Sequence, residues 1–309
     1  MNGIPAAFAR GTVEREGAPG AAWLAGPPGI VAEPTEHWEC VPDGEAGHGG
    51  VGLVVPVRRR SAGDAVLKVS FPHPGNVHEP DALAAWGGRG AVLLHERDDP
   101  RFAMLLERVR TSTLAAVEEH DQVASVAGRV CRRLAVPAPP GLPRLQEQTG
   151  AWDDQLRRDS MDLAHTLPQQ VVDAAVATVR EPGHRQPDLL VHGDLHARNI
   201  LRADREPWPA VDPQGYAGDP AYDGGVPLRS SAPALLDADD LRTAAHRILD
   251  VFSEAAGLDR ERVRRWAQLH AVQAAFSGRR RGFRIARSGP RRDRLTAFAD
   301  HLAEVLTGR

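Results

Sequence analysis

The sequence predicts an α+β chain in two parts, a small antiparallel β-rich N-terminal lobe and a larger helical C-terminal lobe. Between residues 36 and 107, short apolar runs alternate with turn signals around one helical stretch, in the order β-β-β-α-β-β. From Thr111 onward, apolar residues recur mainly at helical spacing. The missing strand–helix alternation excludes a Rossmann-type sheet. A length of 309 residues with 42% hydrophobic and 26% charged residues is ample for two such parts, expected at 1–108 and 109–309.

Residues 1–35 form an Ala-, Gly- and Pro-rich extension with a short helix expected near Ala21–Leu24 and no assignable role. Strands are expected at Glu36–Val41, Val51–Arg58 and Ala65–Phe71, the last two joined by a turn in RRRSAGD. A helix at Asn76–Trp86 and strands at Ala91–His95 and Phe102–Glu107 complete the first part, which ends near Glu107–Arg110. Helices are then expected at Leu114–Leu134 and Gln155–Val179, with the proline-rich connector 136–145 between them. Leu189–Val191 and Ala210–Val211 are expected to pair around a loop, and the tail from Ala234 is helical.

The formal charge of -3 gives no general attraction to nucleic acid or anionic membrane. Cys40 and Cys131 read as reduced thiols, the N-terminus lacks signal-peptide character, and no apolar run spans a bilayer. A soluble, cytoplasmic protein is expected. One compositional feature stands out: of the 38 Lys plus Arg, only Lys68 is lysine. Coding bias explains the arginines, and a lone lysine is then either an accident or a position where a guanidinium does not serve.

HGDLHARN (192–199) followed by VDP (211–213) carries the strongest chemical signal. Phosphoryl transfer needs a carboxylate to take the acceptor hydroxyl's proton and oxygen ligands to hold Mg²⁺ against nucleotide phosphates. An H-x-D-x-x-x-x-N loop with a downstream Asp supplies those functions in protein-kinase-like folds. Asp194 is the candidate base, and Asn199 and Asp212 are the candidate metal ligands. Lys68 lies in the alternating strand AVLKVSF, the context in which a kinase lysine reaches the α- and β-phosphates, and Glu79 is its candidate ion-pair partner. A helix start also favours Glu on dipole grounds alone. GHGGVGLV (47–54) matches a glycine-rich phosphate loop through Gly47, Gly49 and Gly52, although a ligand-free hairpin explains the same glycines. MLLERV (104–109) reads as a hinge in which the backbones of Glu107 and Val109 pair with adenine, or equally as a core strand leaving the sheet.

These stretches together resemble the aminoglycoside phosphotransferase superfamily, and within it the streptomycin 6-phosphotransferase/hydroxyurea phosphotransferase group. The resemblance rests on residues 192–223, AWGGRGAVLL (85–94), LLER (105–108) and VPAPPGLPRL (136–145), and covers about residues 20–270. It implies a bilobal protein-kinase-like fold, ATP and Mg²⁺ as cofactors, and transfer of a phosphoryl group to a small hydroxylated acceptor. By it Asp194 would be the base, Asn199 and Asp212 the metal ligands, Lys68 a phosphate ligand and His192 a structural residue of the loop. The default acceptor is a streptomycin-like aminoglycoside, making this a resistance kinase. Hydroxyurea, another antibiotic or an endogenous sugar are the alternatives, and a degenerate binding protein is a further one.

Two departures bear on the acceptor. Gly224, Gly225 and Pro227 stand where apolar residues are usual and are expected to loosen the following helix. The segment 277–294 carries eight arginines. As a solvated helix face it has no bearing on substrate; lining a binding cleft it disfavours a polycation. The first placement is the expected one. Asp219 and Asp223 could contact a cationic acceptor, but both precede a helical region and are expected rather to cap it or to support the catalytic loop.

Overall fold

A computed structural model describes residues 4–26, 29–60, 63–163, 167–283 and 286–308. The chain packs as two units, Met1–Thr111 with Arg202–Gln214 and Ser112–Leu201 with Gly215–Arg309. The sequence division at 108/109 does not foresee the return of 202–214 to the first unit.

In the first unit, helices α1 (Ala6–Glu16), α2 (Ala18–Leu24) and α3 (Ala32–His37) precede the sheet. Strands β1 (Cys40–Pro42), β2 (Gly47–His48), β3 (Gly52–Arg59) and β4 (Gly63–Ser70) come next, then helix α4 (Glu79–Trp86) and strands β5 (Leu94–Asp98) and β6 (Ala103–Glu107). The antiparallel sheet runs β1-β3-β4-β6-β5, with β2 also paired to β3. Residues 61 and 62 of the expected turn lie outside the described residues. Alternation along β3 and β4 sends Leu53, Val55, Val57, Ala65, Leu67 and Val69 into one apolar core, which also contains Phe8 of α1. Lys68 therefore faces the opposite side of β4.

Of the strand expected at Glu36–Val41, Glu36 and His37 end α3, and Trp38 and Glu39 form a turn. Pro34 sits within the first turn of α3, where the missing N–H costs nothing, and the strand shrinks to Cys40–Pro42. Helix α4 starts at Glu79, not Asn76, because Pro80 also suits a first turn. Asn76 instead closes the preceding loop by donating Nδ2 to the Phe71 carbonyl at 2.9 Å.

The second unit contains α5 (His120–Leu134), α6 (Thr149–Asp162) and α7 (Gln169–Arg180). Strands β7 (Leu189–Val191) and β8 (Tyr216–Gly218) follow, then α8 (Val226–Ser230), α9 (Ala232–Leu236), α10 (Leu241–Ala256), α11 (Arg260–Arg281) and α12 (Gly289–Val305). The single helix expected over 155–179 is two, since Pro168 caps α7 and prevents α6 from running on; residues 164–166 between them lie outside the described set. Helix α11 buries Val263, Trp266, Ala267, Leu269, Val272, Ala275 and Phe276, a spread of faces that marks a central core helix.

Strand β7 pairs with β8, not with Ala210–Val211. Ala210 exchanges backbone bonds with Gly90 and Val92 of the first unit instead, at 2.9 and 3.0 Å. Nor do the glycines after Tyr222 loosen a helix. A Cβ on Gly224 would lie 2.5 Å from Val263 Cγ1, and one on Gly225 would lie 2.6 Å from His270 Nδ1. Glycine at both positions lets this segment press against α11.

Candidate active site

Within the first unit, Lys68 is the organising residue. It is only 6% exposed, and its ammonium donates to both carboxylate oxygens of Glu79, at 2.5 and 2.7 Å. It also donates to Asp212 Oδ1. Burial alone would lower the lysine's pKa, but the two carboxylates outweigh it and hold the ammonium above its ordinary value. Glu79 is pushed up by burial and by the Asp212 charge, against the pull of Lys68. One cation between two carboxylates leaves a net negative charge when all three are ionised, which favours a charged lysine.

Asp212 adopts φ 57°, a left-handed conformation that Asp tolerates better than most residues. Its side chain is 44% exposed, so the carboxylate remains reachable from solvent despite its bond to Lys68. The glycine hairpin closes over this group. A Cβ on Gly49 would lie 3.6 Å from Asp212 Oδ2, and one on Gly52 would meet Ser70 Oγ at 2.8 Å and Lys68 Cε at 3.1 Å. Gly52 is thus required by the lysine's path, which the sequence pattern alone does not show. Gly47 lies on β2, paired with Val54, and does not reach the triad.

The hinge expectation for Glu107 narrows to its carbonyl. Its N–H donates to the Leu93 carbonyl at 2.8 Å and is not available to a base. Its carboxylate takes two bonds from Arg205, at 2.7 and 3.0 Å, and one from the Leu93 N–H. Arg205 also donates to the carbonyls of Gly88 and Ala91, and the Glu206 carboxylate accepts from the Gly90 N–H. These bonds stitch the 202–214 excursion, and with it Asp212, to residues 88–93. Nothing local in DREPWP announces that role. Val109 is half-buried and has no backbone bond to a described residue, so it remains open to a ligand.

In the second unit, the loop after β7 presents Asp194. Asp223 is buried and accepts from the N–H groups of His192 and Gly193, at 3.1 and 3.0 Å. Burial pushes its carboxyl up to about 7, with the Asp194 charge adding to the rise and the backbone N–H groups opposing it. His192 is fully buried, and its Nδ1 accepts from the Asp194 N–H at 3.2 Å. Asn199 donates Nδ2 to the Asp194 carbonyl at 3.0 Å, which leaves its Oδ1 as the atom able to bind a cation. His196 Nε2 lies 3.5 Å from Asp194 Oδ2. Asp219 is spent on structure, accepting from Trp266 Nε1 at 2.7 Å and from Arg262 Nε. No group of three or more His, Cys, Asp or Glu side chains is arranged for a metal among the described residues. Mg²⁺ does not demand one, since it binds through one or two protein oxygens plus phosphates and water.

Residues 37–282 match the model of the family described as aminoglycoside/hydroxyurea antibiotic resistance kinase. The chain belongs to this family. It is 36% identical to a streptomycin 6-kinase of Streptomyces glaucescens, over 88% of this chain and 90% of that one. It is also 36% identical to a hydroxyurea phosphotransferase of Kitasatospora aureofaciens, over 87% of this chain and 78% of that one. Among solved structures, a choline/ethanolamine kinase family protein from Mesorhizobium loti superposes with a TM-score of 0.58 at 16% identity, covering 91% of this chain and 95% of that one. A macrolide 2'-phosphotransferase from Brachybacterium faecium gives 0.53 at 16% identity, covering 90% and 96%. Such low identities establish the fold, which is the kinase-like α+β fold. The family membership makes the protein a small-molecule phosphotransferase that uses ATP. No helix among the described residues is long and apolar enough to cross a membrane.

Proposed function

We propose that this kinase transfers the γ-phosphoryl group of ATP, with Mg²⁺, to a hydroxyl of a streptomycin-like aminoglycoside. The observation that carries the chemistry is the chain's only lysine, buried and clamped between Glu79 and Asp212. A buried cation in such a clamp is poised to exchange one carboxylate for nucleotide phosphate.

Asp194 accepts the proton of the acceptor hydroxyl as its oxygen attacks the γ-phosphorus, and ADP leaves with the bridging oxygen. The brace from Asp223, His192 and Asn199 fixes the Asp194 backbone, so the carboxylate spends little freedom on finding its position. Asn199 Oδ1 and the Asp212 carboxylate are each hard oxygen donors of the kind Mg²⁺ takes, and the ion when bound would neutralise charge on the β- and γ-phosphates. Lys68 adds positive charge at the phosphates while Glu79 keeps the ammonium in place. The Glu107 carbonyl and the Val109 backbone are the remaining hinge candidates for adenine.

Four of the eight arginines at 277–294 are matched by carboxylates, which reduces the charge that would oppose a cationic acceptor. Arg279 pairs with Asp300, Arg280 with Asp159 and Asp162, Arg292 with Asp293 and Arg294 with Asp237. These side chains pin α11 and α12 to their neighbours or sit neutralised on the surface; Arg284 lies outside the described residues. Streptomycin is the first acceptor to test because two relatives at 36% identity are streptomycin 6-kinases and one at the same identity is a hydroxyurea phosphotransferase. The test is ATP consumption over a panel of streptomycin, other aminoglycosides, hydroxyurea, and neutral and anionic sugars. Turnover with streptomycin is expected, and turnover confined to other classes refutes the acceptor.

A further inference from the structure

Helices α1 and α2 lie outside the stretch that matches the family, and they touch the glycine hairpin. Arg15, at the end of α1, donates Nη1 to the Gly50 carbonyl at 2.8 Å, while its Nε pairs with Glu16 at 2.5 Å. Phe8 of the same helix packs against the His48 ring with centroids 5.5 Å apart, and it is held from behind by Trp23 of α2. The His48 ring in turn bonds through Nδ1 to the Gly49 carbonyl at 3.1 Å. Two successive carbonyls at the hairpin tip are therefore held, one directly by α1 and one through a ring that α1 supports. The next carbonyl, of Val51, accepts from the Phe71 N–H at 2.9 Å.

A trans peptide is planar, and its C=O and N–H point in opposite directions. Fixing the Gly49 and Gly50 carbonyls thus fixes the N–H groups of Gly50 and Val51 on the other side of each peptide. Neither N–H has a partner among the described residues. Two successive free amides at a turn are donors that an anion can accept from. Without the Arg15 bond the tip keeps the pairing of β2 with β3, the Gly49 N–H bond to the Gly52 carbonyl, the His48 bond to the Gly49 carbonyl and the Phe71 N–H bond to the Val51 carbonyl, but none of these fixes the Gly50 carbonyl.

We infer that Arg15 is a positioning residue for the nucleotide, orienting the hairpin so that the Gly50 and Val51 amides receive a phosphate; this rests on the phosphotransferase reading above. Arg15 is partly exposed, so Arg15→Ala is expected to fold. The variant is to be measured for MgADP binding by calorimetry, for KM of ATP and of streptomycin, and for amide exchange at residues 49–52. The tether predicts that the MgADP Kd and the KM for ATP rise roughly five- to tenfold, the effect of one ordinary net hydrogen bond, since Arg15 acts on the phosphate only through the hairpin backbone. It also predicts that the KM for streptomycin and the melting temperature hold, that exchange at Gly50 and Val51 quickens, and that Arg15→Lys recovers part of the loss. An unchanged Kd and KM for ATP overturns the inference. So does a lower melting temperature with both KM values rising together, which marks Arg15 as general support only. Failure of the unaltered protein to bind MgADP overturns the phosphotransferase reading itself, and normal binding that ignores Arg15 overturns only the positioning role.

Discussion

Replacing Lys68 with arginine keeps the charge and changes only its shape. The lysine stem passes Gly52 so closely that even a single added carbon there would sit 3.1 Å from Cε, so a longer, planar guanidinium has no slack. Overpacking of this kind costs about 1–3 kcal/mol of stability, and the Glu79 partner keeps a cation, so the fold survives. Activity suffers more. One misdirected charge-assisted contact to phosphate is worth about 1.5–3 kcal/mol, which at about 1.4 kcal/mol per tenfold is roughly a 10- to 150-fold fall in kcat/KM for ATP. Lys68→Met provides the contrast: it leaves Glu79 and Asp212 without their shared cation, and breaking a buried pair in this way costs about 3–5 kcal/mol. The assays are coupled ADP release and thermal unfolding of both variants. The expected pattern is a stable but crippled Lys68→Arg and a destabilised, inactive Lys68→Met. A Lys68→Arg protein with unaltered kcat/KM refutes the claim that this position demands lysine.

Gly52→Ala places a methyl against Ser70 Oγ and the lysine stem, and is expected to raise KM for ATP and lower stability by about 1–3 kcal/mol, read from kinetics and melting. The buried Asp223 carboxyl, pushed up to about 7, binds a proton in the folded state at pH values where the unfolded chain has released it. Its contribution is therefore complete below about pH 4 and is lost as pH rises toward 7, at up to about 1.4 kcal/mol per pH unit. Chemical denaturation of the ligand-free protein between pH 4 and 8 is expected to show this decline, and Asp223→Asn is expected to flatten it; a slope unchanged in that variant rejects the assignment. Arg205→Ala removes the bonds to Glu107, Gly88 and Ala91, and is expected to destabilise the first unit and weaken ATP binding together, since Asp212 rides on the same excursion.

The chemical residues were the most legible because they are few in type and fixed in spacing. Asp194 and Asn199 lie in one short loop, and Lys68 stands out in a chain where every other long cation is arginine. The contact between Lys68 and Asp212 spans 144 residues, so the sequence suggests both partners and shows nothing of their meeting. Helix breaks were less legible: Pro168 ends a pattern that is apolar on both sides of it, and Pro34 and Pro80 open helices where proline more often reads as an interruption. The glycines at 224 and 225 mislead for a related reason, since flexibility and close packing call for the same residue. Arg15 and Arg205 were illegible because, among 37 arginines, a bond to a backbone carbonyl leaves no mark in composition or spacing.

The most direct measurement is phosphorylation of streptomycin by the purified protein with ATP and Mg²⁺, set beside Asp194→Asn and followed by phosphorus NMR and ADP release. The unaltered protein is expected to give a phosphate monoester on a streptomycin hydroxyl. Asp194→Asn is expected to lose roughly 10²–10⁴-fold in kcat while binding MgADP normally, since the residue acts on the acceptor's proton and not on the nucleotide. Full turnover by Asp194→Asn, or an unaltered protein that phosphorylates no hydroxylated acceptor, contradicts the account.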